Sequence, residues 1–192
     1  MARLAGSLNS VTRSTREIMI LDTARLLLFP ALMAFAAASD LFTMTISNRV
    51  SLALVAGFMA LAVLGGMNLH DILMHFGAGA AVLVVAFGCF AMGWMGGGDA
   101  KVAASVALWF GFDHLLNYLL YVSLLGGALT VLLIQFRQWP LPSLLAKQPW
   151  LNRLHDKQSG IPYGIALALG ALIVYPETDW IKAVDLTHLA MR

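Results

Sequence analysis

Two aspartates, Asp40 and Asp99, lie where long apolar runs give way to polar residues. Paired carboxyls can hydrolyse an amide, because two carboxylates held close do not both ionise easily and share a proton. The ionised partner takes a proton from water, which attacks the carbonyl carbon, while the protonated partner donates to the developing oxyanion. Such a pair titrates as a unit, and the sequence leaves open which Asp starts protonated. Asp99 sits in Gly96-Gly97-Gly98-Asp99-Ala100-Lys101. Three residues without side chains permit unusual backbone angles and close approach by another chain, as a peptide presented to a carboxylate requires. A flexible helix break explains the glycines equally well, but not the acid that follows. Asp40 opens Asp40-Leu41-Phe42-Thr43-Met44-Thr45-Ile46-Ser47-Asn48-Arg49, where Ser47 or Asn48 can cap the next helix. Lys101 either raises the local positive potential beside the acid or snorkels to a membrane interface.

The elements that must position these residues are membrane helices. The 192-residue chain is 60% hydrophobic and 11% charged, with a mean hydropathy of +0.80. Soluble domains carry about 25% charged residues, so lipid is the natural solvent here. The length suits one compact all-α bundle. A formal net charge of +2 with scattered basic residues gives no nucleic-acid partner. Cys89 is the only cysteine, which excludes internal disulfides and zinc held by cysteine pairs. It reads as a small buried hydrophobe, and no cofactor or metal is expected.

Residues 1–17 form a polar N-terminal tail, either an amphipathic or a disordered lead-in. The first apolar run spans about Ile18 to Ala38, with Pro30 tolerable in a membrane helix. It ends in Ala36-Ala37-Ala38, a small-residue pattern of signal-peptide sites, but cleavage there would strand Asp40 at a free N-terminus. Further runs cover about Val50 to Met67 and Ile72 to Met95, each approaching the ~20 residues needed to cross. The stretch from Ala100 to Phe136 is too long for one crossing and is predicted to fold back near Gly111-Phe112-Asp113-His114, with Asp113 as N-cap. A polar loop, 137–160, contains Pro149-Trp150-Leu151-Asn152-Arg153-Leu154, a segment suited to the membrane surface. The last run, about Ile161 to Tyr175, ends at Pro176, so the transmembrane domain spans 18–176 and a C-terminal tail 177–192. About six transmembrane helices result, without an internal repeat.

Parity links the two acids. Asp40 follows the first helix and Asp99 the third, so an even number of crossings separates them and both emerge on one side. Intramembrane carboxylates cost about 2.5–3.5 kcal/mol on insertion scales and usually face the bundle interior. Two at matching depth read as a site, or as two helix ends in interfacial water. Charge bias does not orient the bundle: Arg49, Lys101, Arg137, Lys147, Arg153 and Lys157 fall on one side, and Arg3, Arg13, Arg16, Arg25, Lys182 and Arg192 on the other. His70 with Asp71 falls on the side away from the acids. His75 reads as a packed or interfacial histidine, and His114 with Asn117 as helix-to-helix hydrogen bonding.

Gly-Gly-Gly-Asp-Ala-Lys at 96–101 resembles the Gly-x-Gly-Asp signature of type IV prepilin leader peptidases, particularly the small tight-adherence (Flp pilus) branch. Asp40, with Ile46 six residues later and Asn48 eight later, is similar to that family's first catalytic segment. Ile161-Pro162-Tyr163-Gly164-Ile165-Ala166 resembles the Pro-Tyr-Gly segment opening its last helix. The three motifs stand in the family's order and cover most of the chain. The resemblance implies an aspartic-type endopeptidase with Asp40 and Asp99 catalytic, and Gly96, Gly97, Gly98, Lys101 and Asn48 supporting the site or substrate. It implies a multi-pass protein of the bacterial inner membrane that trims the basic leader of a prepilin or pseudopilin after a glycine, at the cytoplasmic face, during pilus assembly. Phe42, Met44 and Ser47 depart from the family's basic residues and proline, which bears on substrate or lipid-headgroup contacts near Asp40. The span between the first two helices is too short for the cysteine-bearing insertion of larger relatives, so N-methylation is not expected. The rivals are a non-catalytic assembly factor, a degenerate pilin-binding relative, or a small transporter using the acids as ligands. Absence of paired discontinuous helices argues against transport.

Overall fold

Each apolar run becomes a helix whose ends are fixed by caps and glycines. The computed structural model describes residues 2–142 and 147–184, with side chains from residue 16 onward. Helix α1 spans Ala2–Thr43 and includes Pro30. At 1.5 Å per residue its 42 residues extend ~63 Å, about twice a hydrocarbon core. The apolar portion is Arg16–Thr43. The backbone of residues 2–17 is therefore helical and continuous with the first crossing. Asp40 lies in the last turn of α1 rather than beyond it, because the helix continues until Met44 adopts a left-handed φ of 55°.

Helix α2 (Asn48–Leu64) starts at Ser47, whose side chain accepts the Arg49 N–H at 3.3 Å. Of the two capping candidates, Ser47 takes the role and frees Asn48. Gly65 closes α2, and Gly66 turns at φ +72°. Helix α3 (Leu69–Ala91) is capped by Asn68, which accepts the Asp71 N–H at 2.9 Å. Gly93, at φ +76°, ends the turn after it. Helix α4 (Gly97–Phe136) bends back on itself at Gly111, where φ 60° and ψ −169° form a conformation open essentially to glycine alone. The turn lies two residues before Asp113, and the Asp113 side chain makes no capping bond. Gly111 also leaves room for the His75 ring, 3.1 Å from where a Cβ would stand.

The two arms of α4 run antiparallel. The first packs on α3, with the His75 Nδ1 2.7 Å from the Leu108 carbonyl oxygen. The second packs on helix α6 (Tyr163–Val174): Val122 meets Gly170, and Tyr163 meets Gly126. Counting the arms separately gives six apolar segments among the described residues, and the fold is an all-helical integral membrane bundle. Small residues such as Gly57, Gly79, Ala103, Ala107 and Gly170 line the contacts, while Val84, Phe87, Leu116, Leu124 and Leu132 face outward, as lipid demands.

Short elements close both ends. Helix α5 (Pro149–His155) lies within the polar loop and is latched to α1. Arg153 donates to the Phe42 carbonyl at 2.6 Å, a cation on the last turn of a helix, and Phe42 packs edge-on against Trp150. Arg137 donates to the carbonyls of Leu154 and Gly160 at 2.7 and 2.8 Å. At the other end a 3-10 turn (Tyr175–Glu177) leads into helix α7 (Asp179–Lys182), so the chain after Pro176 stays with the bundle there. Trp180 of α7 is buried and donates to the Trp109 carbonyl at 2.8 Å.

Candidate active site

The acids converge because three helix ends meet. Asp40 comes from the last turn of α1, Asp99 from the first turn of α4, and the opening turn of α6 lies against Asp40. Asp40 is only 5% exposed, and its Oδ2 accepts the Gly164 backbone N–H at 2.7 Å. A first-turn N–H of a helix has no intrahelical acceptor, so it is free for a carboxylate, and the helix dipole favours that charge. A Cβ at Gly164 would stand 2.8 Å from Asp40 Oδ2 and 2.7 Å from Ile46 Cδ1. Glycine is thus required there for contact rather than for conformation.

Ile46 joins the two halves. Its side chain reaches Gly164, and its carbonyl oxygen lies 3.3 Å from where a Cβ at Gly98 would project. Gly98 and its neighbour Asp99 are thereby drawn against the segment that follows Asp40. Gly96 is the N-cap of α4, and Gly97 and Gly98 are already helical. Asp99 occupies the third helical position and turns back toward the Gly96 backbone N–H, as the acid of a capping box does. The glycines therefore permit close approach more than unusual angles, and the break in the chain falls earlier, at Gly93. Asp40 and Asp99 lie within electrostatic reach of each other, with Asp99 half-buried.

Lys101 donates to Asn48 Oδ1 at 2.8 Å. Both are exposed and border a groove of about 510 Å³ between α2, α3 and α4, apolar along most of its length. A second cavity, of about 480 Å³, lies at the far end around Arg25, His75 and Trp180. Neither is lined by Asp40 or Asp99. His70 and Asp71 sit at the start of α3, in the far half. His75 is packed against Phe58. His114 and Asn117 make no hydrogen bond between helices; Asn117 faces outward, and His114 borders the far cavity. Among the described residues no three metal-binding side chains converge.

The contact from Gly164 is absent from any reading of acids alone. Its signal was present in the Pro-Tyr-Gly segment, which marks a helix start but does not say what its amides face. Two carboxyls, one held by a main-chain donor and both beside glycine-lined backbone, can activate water against a peptide carbonyl. A model of the type IV leader peptidase family matches residues 27–131, more than half of the chain and a span that includes both acids. No curated protein and no solved structure matches.

Proposed function

This chain belongs to the type IV leader peptidase family, and we propose that it hydrolyses its substrate with Asp40 and Asp99 as a catalytic pair. The substrate is a prepilin or pseudopilin of the type IV or Flp class, cut after a glycine at the end of its basic leader. The reaction takes place at the cytoplasmic face of the bacterial inner membrane, without N-methylation of the product. One carboxylate removes a proton from water, and the resulting hydroxide bonds to the scissile carbonyl carbon. The other carboxyl donates its proton to the carbonyl oxygen. As the tetrahedral intermediate collapses the C–N bond breaks, the leaving nitrogen takes a proton from the pair, and one hydroxyl of the intermediate returns its proton to the pair as the carbonyl re-forms. Water is consumed, and the two carboxyls share one proton again.

The observation that carries this reading is the convergence of the Gly164–Asp40 hydrogen bond and the Ile46–Gly98 contact on one end of the bundle. A substrate strand needs bare backbone to lie against, and exposed Gly96 offers it beside Asp99, while Gly97 and Gly98 support the site by letting Phe90 and Ile46 pack close. Asn48 and Lys101 sit at the rim, where they meet the flanking substrate or a lipid headgroup.

The test is incubation of the detergent-solubilised full chain with a prepilin, looking for the shortened product. Asp40→Asn and Asp99→Asn each lower cleavage by at least about 100-fold while inserting normally in the membrane. Near-normal processing by either variant rules out the pair. A wild-type chain that binds the prepilin but never shortens it belongs instead to an assembly role.

A further inference from the structure

Helix α6 opens without the usual side-chain cap. Pro162 stands at its N-cap and brings no side-chain oxygen to accept from the first turn. Yet that turn carries the Gly164 N–H that Asp40 accepts at 2.7 Å. Hydrogen bonds weaken steeply as distance and angle depart from ideal, so something other than a cap must set where the turn stands. Tyr163, the residue directly before Gly164, is held by a different helix.

Its seat is the second arm of α4. The Tyr163 hydroxyl lies 3.1 Å from Thr130 Oγ1, which in turn lies 2.7 Å from the Gly126 carbonyl oxygen. A threonine hydroxyl has one hydrogen, and the carbonyl, which can only accept, takes it. Tyr163 is therefore the donor to Thr130, and the bonds run in one direction from Tyr163 through Thr130 to the main chain. Gly126 has a second part in the seat. A Cβ there would stand 2.9 Å from Cε1 and 3.3 Å from Cδ1 of the Tyr163 ring, so the ring lies on bare backbone. Gly126 and Thr130, four residues apart, share one helix face. The loop before α6 is tied to the same arm, since Arg137 donates to the Gly160 carbonyl at 2.8 Å. Phenylalanine would satisfy the packing on Gly126; the hydroxyl adds a directed tie.

We infer that Tyr163 is a positioning residue of the acid pair: its hydroxyl, donating to Thr130, anchors the opening turn of α6 so that the Gly164 N–H meets Asp40. This rests on the catalytic reading of Asp40 and Asp99. It gives the second arm of α4, which carries neither acid, a part in holding the reaction centre.

The experiment uses the purified full chain in detergent and a synthetic peptide of prepilin type, with a basic leader, a scissile glycine and an apolar helix. Tyr163→Phe keeps the ring on Gly126 and deletes the donor. It lowers kcat roughly 10-fold and leaves KM unchanged. Thr130→Val deletes the acceptor and does the same. The double variant is no slower than either single one, because both remove the same bond. Thr130→Ser keeps the hydroxyl and restores cleavage close to the wild-type rate. Hydrogen exchange at the Gly164 amide quickens in Tyr163→Phe and Thr130→Val but not in Thr130→Ser, a readout independent of cleavage. An unchanged kcat in Tyr163→Phe overturns the inference, as do multiplying losses in the double variant or an unchanged Gly164 exchange. A loss of kcat that tracks melting temperature across the variants also overturns it and leaves Tyr163 as structural support. A raised KM at constant kcat overturns it too and assigns the hydroxyl to substrate binding. Cleavage surviving in Asp40→Asn or Asp99→Asn defeats the catalytic pair and the inference with it, a failure that variants of Tyr163 and Thr130 cannot mimic.

Discussion

The two ends of the bundle are built differently. At the end away from the acids, Phe29, Phe58, Trp109, Tyr175 and Trp180 interlock, with ring centroids 4.4 to 6.2 Å apart. Both indole N–H groups and the Tyr175 hydroxyl are hydrogen-bonded to main-chain carbonyls. At the acid end, contacts run through glycines and backbone: Gly164 on Asp40, Gly98 on Ile46, Gly126 on Tyr163. One end supplies dense apolar packing in which the indoles and the Tyr175 hydroxyl are hydrogen-bonded. The other leaves carboxyls and bare main chain side by side. A bundle whose stability resides in the aromatic end can hold buried carboxyls at the other without unfolding, the division expected where activity and stability compete.

Three changes would break or sharpen that contrast. Trp109→Ala removes the centre of the aromatic end, and loss of a buried tryptophan costs about 3–5 kcal/mol. A large fall in melting temperature is expected in a thermal scan of the solubilised chain; a small one would show that the aromatic end does not carry the fold. Gly164→Ala acts in the opposite sense. Its methyl would stand 2.8 Å from Asp40 Oδ2, and a displacement of the order of 1 Å costs roughly 100-fold in rate. Cleavage should fall by about that factor while the melting temperature moves far less than for Trp109→Ala. Equal losses of stability would erase the distinction between the ends. The smallest effect belongs to Asn48→Ala, which removes an exposed partner of Lys101. Stability should change by within about 0.5 kcal/mol, and any effect on cleavage should appear in KM.

The sequence made the helices legible because crossing a membrane demands long apolar runs, and parity alone brought Asp40 and Asp99 to one end. It also located the fold-back near Gly111, though it credited Asp113 with a capping role that glycine's backbone freedom makes unnecessary. Contacts between elements were less accessible. Asn48 and Lys101 are far apart along the chain, and nothing in either segment reveals that they bond to each other. Gly164 was visible as part of a motif, but its amide's partner depends on how α6 is tilted against α1. His114 and Asn117 share a helical spacing that implied a bonded pair between helices, yet one borders a cavity and the other faces outward. Spacing gives the face of a helix and not what lies opposite.

The bond from Gly164 to Asp40 has an unusual vulnerability. Its donor is an amide that every residue except proline possesses, so the genetic code offers few direct ways to delete it. Most changes at that position would instead crowd the acceptor, enlarging the residue while keeping the donor intact. Inactivation there would therefore come by obstruction, and a smaller side chain at Ile46 would not undo it, because the added methyl also meets the Oδ2 and Cβ of Asp40 at 2.8 and 2.9 Å.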